Sequence, residues 1–255
     1  MALLDCMPAD GPPALAWSRV ERPALILGRA AVDPAVDWGR CASSGIAVHR
    51  RASGGGPLLW DAGLAAVDVA LPPGHPLADA DVVEAYRWLG EAIAEALGAL
   101  GRHDARPITP REARAATSSP ADDACFGGRS AYEVVAAGRK VAGLSQVRRR
   151  SGTLLQAGIA LRLDAPALAA ALGRDERFAA ALADRAAGLA DLGAPPGRER
   201  VEVVVEAAIR RRAGVRLIDG VLTLEEERRA AELARGAHGA LHAAGATATL
   251  RPAVR

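Results

Sequence analysis

Lys140 is the only lysine in this chain of 255 residues, since every other member of its 32 lysines and arginines is an arginine. The two cations differ in chemistry: arginine carries a planar, permanently charged fork, while lysine carries a compact ammonium on a flexible stem. A chain that uses arginine wherever a generic cation suffices indicates that position 140 needs the compact charge. The alternative is a surface lysine that survived by chance.

A glycine-rich loop is the second candidate for chemistry. It follows the apolar residues 46–48 and reads Arg-Arg-Ala-Ser-Gly-Gly-Gly over residues 50–56. Consecutive glycines leave backbone N–H groups accessible and tolerate positive φ, so the loop can wrap polar atoms of a ligand, and the arginines can neutralise a carboxylate or phosphate. The loop is not a P-loop, because it does not end in Gly-Lys-Ser/Thr. Taken alone, it fits a flexible turn equally well.

Cysteine supplies the third candidate. Cys6, Cys41 and Cys125 are odd in number and form no CxxC pair, so the sequence indicates neither a disulfide framework nor a zinc knuckle and predicts a reduced, cytoplasmic protein. Cys125 lies in a polar, glycine-rich segment close to Arg129, where a thiolate could act as a nucleophile. The alternative for Cys125 is a small buried apolar residue.

Composition excludes several classes of function. The net charge of +2 supplies no large positive field for nucleic acid. Apolar runs end well before the roughly 20 residues that a membrane span needs, and no signal peptide is recognisable. His238 and His242 have i, i+4 spacing but no third ligand, so we predict no metal site. Asp61 and Asp68 are interpreted as turn and edge residues.

Patterning predicts an α+β fold with most strands in the first two-thirds of the chain. Strands are expected at 24–27, 46–48, 58–60, 65–71 and 153–163. A hairpin of 132–136 and 140–147 should turn at Ala137 and Gly138, and 104–124 should be a long loop. Helices are expected from Asp33 and Pro34 onward and at 81–100, 166–193, 199–213 and 223–241, with a strand pair near 215–217 and 221–222. We predict a catalytic domain at 1–195 and a small helical extension at 196–255 packed on it.

Two motifs in order carry a resemblance to a known family. RRxSGGG at residues 50–56 is followed by GRKVxGxxQ at 138–146, and Leu-Ile-Leu-Gly-Arg at 25–29 looks like an early strand of the same family. Together they resemble the lipoate–protein ligases and octanoyltransferases, relatives of the biotin–protein ligases, over about residues 20–240. ACFxxxSxYEV at 124–134 and LLQxG at 154–158 are most similar to the cysteine-dependent octanoyltransferases.

The resemblance implies a mixed β-sheet flanked by helices, with an acyl group between the glycine loop and the lysine hairpin. It implies that Cys125 carries the acyl group and that Lys140 polarises the acyl carbonyl. The substrate-binding residues that it implies are Arg50, Arg51, Ser53, Gly54, Gly55, Gly56, Gly143, Ser145, Gln146 and Gly158.

Three functions remain open at this stage. The first is acyl transfer through Cys125, without a cofactor, from acyl carrier protein or another lipoylated protein to lipoyl carrier domains of the 2-oxoacid dehydrogenase E2 or glycine cleavage H protein type. The second is lipoate–protein ligation with ATP and Mg²⁺ through an adenylate. The third is a binding relative without turnover. Two departures from the family motivate the third: a short N-terminal segment with several prolines, and Ala157 in place of a usual histidine; Trp60 also stands where the family has a histidine.

Overall fold

The structure is a computed structural model that describes residues 1–30, 36–78, 81–193 and 197–236, together with the backbone of residues 240–242. The predicted helix start at Asp33 and Pro34 therefore lies outside the described residues. Within the described residues the helix is Trp38–Ser43, and the Asp37 side chain caps its N-terminus by accepting a hydrogen bond from the backbone N–H of Arg40.

The elements follow one another as helices α1 to α8 and strands β1 to β10. In chain order they are α1 (Ala2–Asp5), β1 (Ala14–Ser18), β2 (Ala24–Leu27), α2 (Trp38–Ser43), β3 (Ala47–Arg50), β4 (Leu58–Trp60), β5 (Leu64–Leu71), α3 (Arg87–Ala99), β6 (Arg106–Pro107), α4 (Pro110–Arg114), β7 (Val134–Ala136), β8 (Arg139–Arg149), β9 (Gly152–Ala160), α5 (Ala165–Ala171), α6 (Glu176–Arg185), α7 (Arg198–Ala213), α8 (Leu224–Arg235) and β10 (Ala240–His242). Two short 3₁₀ turns, at Glu84–Tyr86 and Leu189–Leu192, complete the described elements.

Two sheets organise these strands. The larger has six strands in the order β1-β5-β9-β8-β7-β6, with every neighbouring pair antiparallel. The smaller has the order β10-β3-β2-β4, in which β2 and β3 are parallel and the outer pairs are antiparallel. The predicted α+β class is confirmed, and the mixing of strand directions is confined to the smaller sheet.

One face of the larger sheet is covered by α3 and α7. Leu89, Ile93 and Leu97, spaced four residues apart, give α3 one fully buried apolar face. On α7, Val205 and Ile209 belong to the same buried cluster, which also includes inward-facing residues of β5, β8 and β9. Because side chains alternate along a strand, the residues between these point to the opposite face of the sheet, where the glycine loop lies.

A second apolar core lies between the smaller sheet and helices α2, α5 and α6. Leu25 and Leu27 of β2 pack there with Phe178 and Leu182 of α6. The segment before β7 enters this core through Phe126, which is buried, with Cys125 packed against its edge. This packing anchors the cysteine-bearing segment between the two sheets.

Several element predictions are confirmed and others are wrong. The hairpin of β7 and β8 turns at Ala137 and Gly138, and Thr223 and Glu226 form the predicted capping box of the last helix. That helix ends at Arg235 rather than near 241, and the loop predicted at 104–124 contains β6 and α4. No strand pair forms at 215–217 and 221–222 in the described segment 197–236, because those residues instead connect α7 to α8.

The predicted domain boundary at 195 and 196 lies outside the described residues. It therefore stays a prediction. Among the described helices, none combines the length and apolar character that crossing a membrane requires.

Candidate active site

The β7–β8 hairpin places Lys140 at the start of a long central strand. Ala137 and Gly138 both have positive φ, 49° and 73°, which is the backbone geometry of a tight type I′ turn. A register shift follows, since Val134 pairs with Ala142 but Val135 pairs with Lys140, leaving Val141 as an extra residue. Strict alternation would put Lys140 on the face of Ala142; the bulge turns it to the face of Gly143 instead.

The Lys140 ammonium is buried and fully engaged. Its side chain is 1% exposed, and Nζ lies 2.7 Å from Glu133 Oε1, 2.6 Å from the carbonyl oxygen of Cys125 and 3.1 Å from that of Gly128. A lysine ammonium has three N–H donors, so each proton has an acceptor. The Phe126 ring adds a cation–π contact at 5.6 Å. The charge is thus held directly against the segment that carries Cys125.

Glu133 is a site residue that the sequence analysis missed. It is 4% exposed, and besides Lys140 it accepts a hydrogen bond of 2.7 Å at Oε2 from the backbone N–H of Ser130. A longer bond of 3.4 Å reaches Oε1 from the backbone N–H of Leu144. Two signals were available: Glu133 is part of the motif ACFxxxSxYEV, and it lies just before the apolar run of β7, where an unpaired charge would be costly to bury.

Arg51 shapes the glycine loop from within. Its guanidinium donates to the carbonyl oxygens of Gly54, at 2.8 and 3.1 Å, and of Gly56, at 3.0 Å. The same Nη2 atom lies 3.9 Å from the Cys125 sulfur. Arg51 therefore closes the loop on itself and puts a permanent positive charge beside the thiol.

The glycine loop and the cysteine segment are in close backbone contact. The backbone N–H of Cys125 donates to the carbonyl oxygen of Pro57 at 2.9 Å. A Cβ atom on Gly56 would lie only 2.0 Å from the carbonyl oxygen of Asp123, so no larger residue fits there. Gly54 differs, since a Cβ at that position would meet nothing within 4 Å. Gly56 is thus required for the approach, while Gly54 and Gly55 form the exposed tip of the loop.

The three cysteines lie in different environments. Cys125 is half-buried beside Arg51 and Lys140. Cys41 is buried in α2, and this burial raises the pKa of its thiol. Burial, followed by the nearby Glu225 and Glu226 carboxylates, also raises the pKa of Cys6. A raised pKa reduces the thiolate fraction at neutral pH, so Cys6 and Cys41 are weakened as nucleophiles.

A row of polar side chains crosses the face of the sheet below the loop. Ser53 Oγ, on a residue that is 2% exposed, lies 3.2 Å from Ser145 Oγ, which in turn lies 3.4 Å from Gln156 Oε1. Gln156 Nε2 donates to Asp68 Oδ1 at 3.0 Å. The interpretation of Asp68 as an edge residue is wrong, because β5 lies between β1 and β9. Asp61 does act at a turn, accepting from the N–H of Gly63 at 2.7 Å.

Gly143 and Gly158 lie opposite each other on β8 and β9. A Cβ on Gly143 would lie 3.4 Å from Lys140 Cε and 3.6 Å from Nζ, which is ordinary van der Waals contact, so Gly143 borders the lysine side chain. A Cβ on Gly158 would approach Leu64 to 3.3 Å.

The side chains of Arg50 and Gln146, two other predicted substrate-binding residues, are directed away from Cys125 and Lys140. The Arg50 guanidinium donates to the carbonyl oxygens of Gly28 at 3.0 Å and Arg29 at 3.4 Å, on the β2 side of the loop. Gln146 Nε2 donates to the carbonyl oxygen of Val82 at 2.6 Å. Gln146 also hydrogen-bonds Tyr86, whose pKa burial nevertheless raises. It thus faces the α3 side, and its predicted contact with substrate stays a prediction.

Among the described residues, no cluster of three or more His, Cys, Asp or Glu side chains is placed to hold a metal ion. The side chains of His238 and His242 lie outside the described residues.

Comparisons with known proteins agree on the kind of chain this is. Residues 2–210 match the family described as the lipoyl protein ligase A/B catalytic domain. The chain is 35% identical over 234 residues to octanoyltransferase LipM of Kyrpidia tusciae, which covers 87% of this chain and 83% of that protein.

Solved structures share the fold at lower identity. A lipoate-protein ligase A bound with ATP has a TM-score of 0.73 at 22% identity, covering 92% of this chain and 86% of that one. A bi-partite lipoate protein ligase of Thermoplasma acidophilum, studied with its E2 lipoyl domain, also has a TM-score of 0.73 at 22% identity, covering 92% and 84%. At such identity the likeness concerns the fold.

Proposed function

Because this chain belongs to the lipoyl protein ligase A/B catalytic domain family, and is therefore an enzyme of the acyltransferase or ligase type, we propose that it transfers an octanoyl or lipoyl group through a thioester on Cys125. The observation that carries the proposal is the convergence of two cations on one cysteine. Lys140 Nζ lies 2.6 Å from the Cys125 carbonyl oxygen, and Arg51 lies 3.9 Å from its sulfur.

The first step loads the enzyme from an acyl carrier protein. The Cys125 thiolate attacks the carbonyl carbon of the carrier's thioester, and the carbonyl oxygen becomes an oxyanion. As the intermediate collapses, the carbon–sulfur bond to the carrier breaks and the carrier's thiolate leaves and takes up a proton. Lys140 stabilises the oxyanion, because a fixed cation in a site that excludes water acts where negative charge develops. Exchange between two thioesters is nearly balanced in energy, so no ATP is consumed.

The second step delivers the acyl group to a lysine of a lipoyl carrier domain. The neutral amine attacks the Cys125 thioester, an amide bond forms, and the carbon–sulfur bond breaks to restore the thiolate. The proton lost by the amine goes to solvent or to that thiolate. The acceptors we propose are domains of the 2-oxoacid dehydrogenase E2 or glycine cleavage H protein type. The described relative from Thermoplasma acidophilum, whose partner is an E2 lipoyl domain, supports this class.

The alternative hypothesis is that the chain is a ligase that uses ATP and Mg²⁺. Arg50, Arg51 and Lys140 are the cations that would hold a nucleotide's phosphates, and bound ATP would supply an acyl-adenylate as the activated donor. In the described site Arg51 donates to loop carbonyls and every Lys140 proton has an acceptor, so either reaction requires one of these contacts to be displaced. The thiol beside these cations favours the thioester route.

The departure at Ala157 does not argue for a relative that lacks turnover. Ala157 is 4% exposed and belongs to the apolar cluster beneath α3 and α7. Its neighbours Gln156 and Gly158 face the glycine loop, so a side chain at 157 points away from the reacting groups. The alanine therefore completes the core.

The test is acyl transfer by a Cys125→Ala variant, with Cys6→Ala as a matched control on another half-exposed cysteine. We expect C125A to lose transfer from octanoyl carrier protein to a lipoyl domain, and C6A to retain it. If C125A instead keeps full activity with lipoate, ATP and Mg²⁺, the chain is a ligase. If the wild type acylates no lipoyl domain under either condition, it is the relative without turnover.

A further inference from the structure

We propose that Glu133 is a positioning residue, which holds the Lys140 ammonium in place while an incoming acyl carbonyl replaces one of its backbone contacts. This inference rests on the proposed function, because it concerns how Lys140 reaches the acyl group. It assigns to Glu133 no contact with substrate. Its effect is exerted through the lysine.

All three N–H donors of the Lys140 ammonium already have acceptors. Its three protons are directed at Glu133, Cys125 and Gly128, and 1% of its side chain is exposed. A substrate oxygen can therefore bind Nζ only by displacing one of these three acceptors. The resting site is a closed one, and acyl binding opens it.

The three contacts differ in strength. The pair with Glu133 is a charge-assisted bond of 2.7 Å between buried groups, whereas the other two acceptors are neutral carbonyls. Of the carbonyls, Gly128 is the more distant at 3.1 Å, against 2.6 Å for Cys125. We expect the Gly128 carbonyl to be released first. The contacts to Glu133 and Cys125 then keep Nζ beside the thioester.

Glu133 is itself held rigidly enough for this task. Oε1 receives Lys140, while Oε2 receives the backbone N–H of Ser130 at 2.7 Å. The carboxylate thus joins β8 to the segment that carries Cys125. Since the residue is 4% exposed, it has no route to a docked carrier protein. Its loss should lower kcat and leave KM for the acyl carrier protein nearly unchanged.

A Glu133→Gln variant tests the inference. It keeps the size of the side chain and can still accept from Ser130, but it removes the negative charge that orients Nζ. A misplacement of the order of 1 Å at a reacting centre lowers the rate by about 10²-fold, and we expect a fall in kcat of that size. Glu226→Gln is the matched control, because Glu226 is 5% exposed and caps α8 through Thr223.

The single lysine provides a readout that does not depend on turnover. In protein labelled with ¹⁵N at lysine Nζ, all ammonium signal comes from Lys140. We expect one slowly exchanging ammonium resonance in the wild type and in E226Q. In E133Q it should be lost or should exchange at least about tenfold faster, because an ordered, charge-assisted contact is gone.

The outcomes separate this inference from the proposed function. An E133Q protein with the wild-type ammonium resonance and wild-type kcat overturns the role of Glu133. A wild type that never forms an acyl adduct overturns the proposed function, while the resonance still decides whether Glu133 orders Lys140. If E133Q fails to fold, Glu133→Asp takes its place, because it keeps the charge on a shorter side chain: a kcat below that of the wild type supports positioning, and a kcat equal to that of the wild type contradicts it.

Discussion

At the scale of single residues, Lys140 and Cys125 meet through the cysteine's backbone carbonyl, and Arg51 provides the charge near its sulfur. The motifs indicated both residues as site candidates, and the fold brings them together, while their catalytic roles stay a prediction. The motif ACFxxxSxYEV contains Glu133 but assigned it no role, because a carboxylate next to an apolar strand resembles a solvent-facing residue until the fold buries it. Nor could the motif GRKVxGxxQ show that the side chains of Ser145 and Gln146 lie on opposite faces of the sheet. Alternation along β8 sends these neighbours to opposite faces.

A Lys140→Arg variant should lose acyl transfer by about 10²–10³-fold, the loss typical of removing one group that stabilises an oxyanion. The planar fork of arginine is larger than an ammonium and cannot reproduce three donors directed at three acceptors in a site that is 1% exposed. Steady-state transfer rates test this, with thermal melting to verify folding. Arg139→Lys is the control, because it makes the opposite exchange at the adjacent residue. Normal turnover by K140R would refute the role of the compact charge.

At the scale of elements, the site is formed where the glycine loop after β3 meets the segment before β7. The sequence identified both segments, since glycine runs and a turn with positive φ are local signals. It could not show which glycine matters. That depends on a contact across the fold, between Gly56 and the carbonyl oxygen of Asp123.

A Gly56→Ala variant should therefore lose acyl transfer, whereas a Gly54→Ala variant should keep it. The added methyl group at 56 would meet the Asp123 carbonyl at 2.0 Å, so the loop must withdraw from Cys125, at a cost of about 1–3 kcal/mol. At 54 it would meet nothing within 4 Å. Initial rates of Cys125 alkylation and acyl transfer compare the two variants. Equal rates would show that the close approach is not needed.

At the scale of the whole molecule, α7 belongs to the principal core. Val205 and Ile209 join the cluster formed by α3 and the larger sheet. The change in composition after residue 165 correctly predicted helices in the last third of the chain. The composition could not show which surface these helices pack against, because an apolar helix face does not specify the element that buries it.

An Ile209→Ala variant should be destabilised by about 2–5 kcal/mol, the usual range for truncating a large buried aliphatic side chain. Ile209 is 2% exposed, whereas Val203 on the same helix is 59% exposed. Val203→Ala should change the free energy of unfolding by no more than about 0.5 kcal/mol. Urea unfolding measures both. Equal stability of the two variants would contradict the placement of α7 in the core.

The central claim is that Cys125 carries the acyl group, and intact-protein mass spectrometry tests it most directly. The wild type is incubated with octanoyl carrier protein in the absence of ATP, and the modified residue is located by peptide mapping. We predict one octanoyl adduct on Cys125 that is released by hydroxylamine and disappears when a lipoyl domain is added. A protein that stays unmodified under these conditions, yet acylates the lipoyl domain once lipoate, ATP and Mg²⁺ are supplied, would contradict the claim.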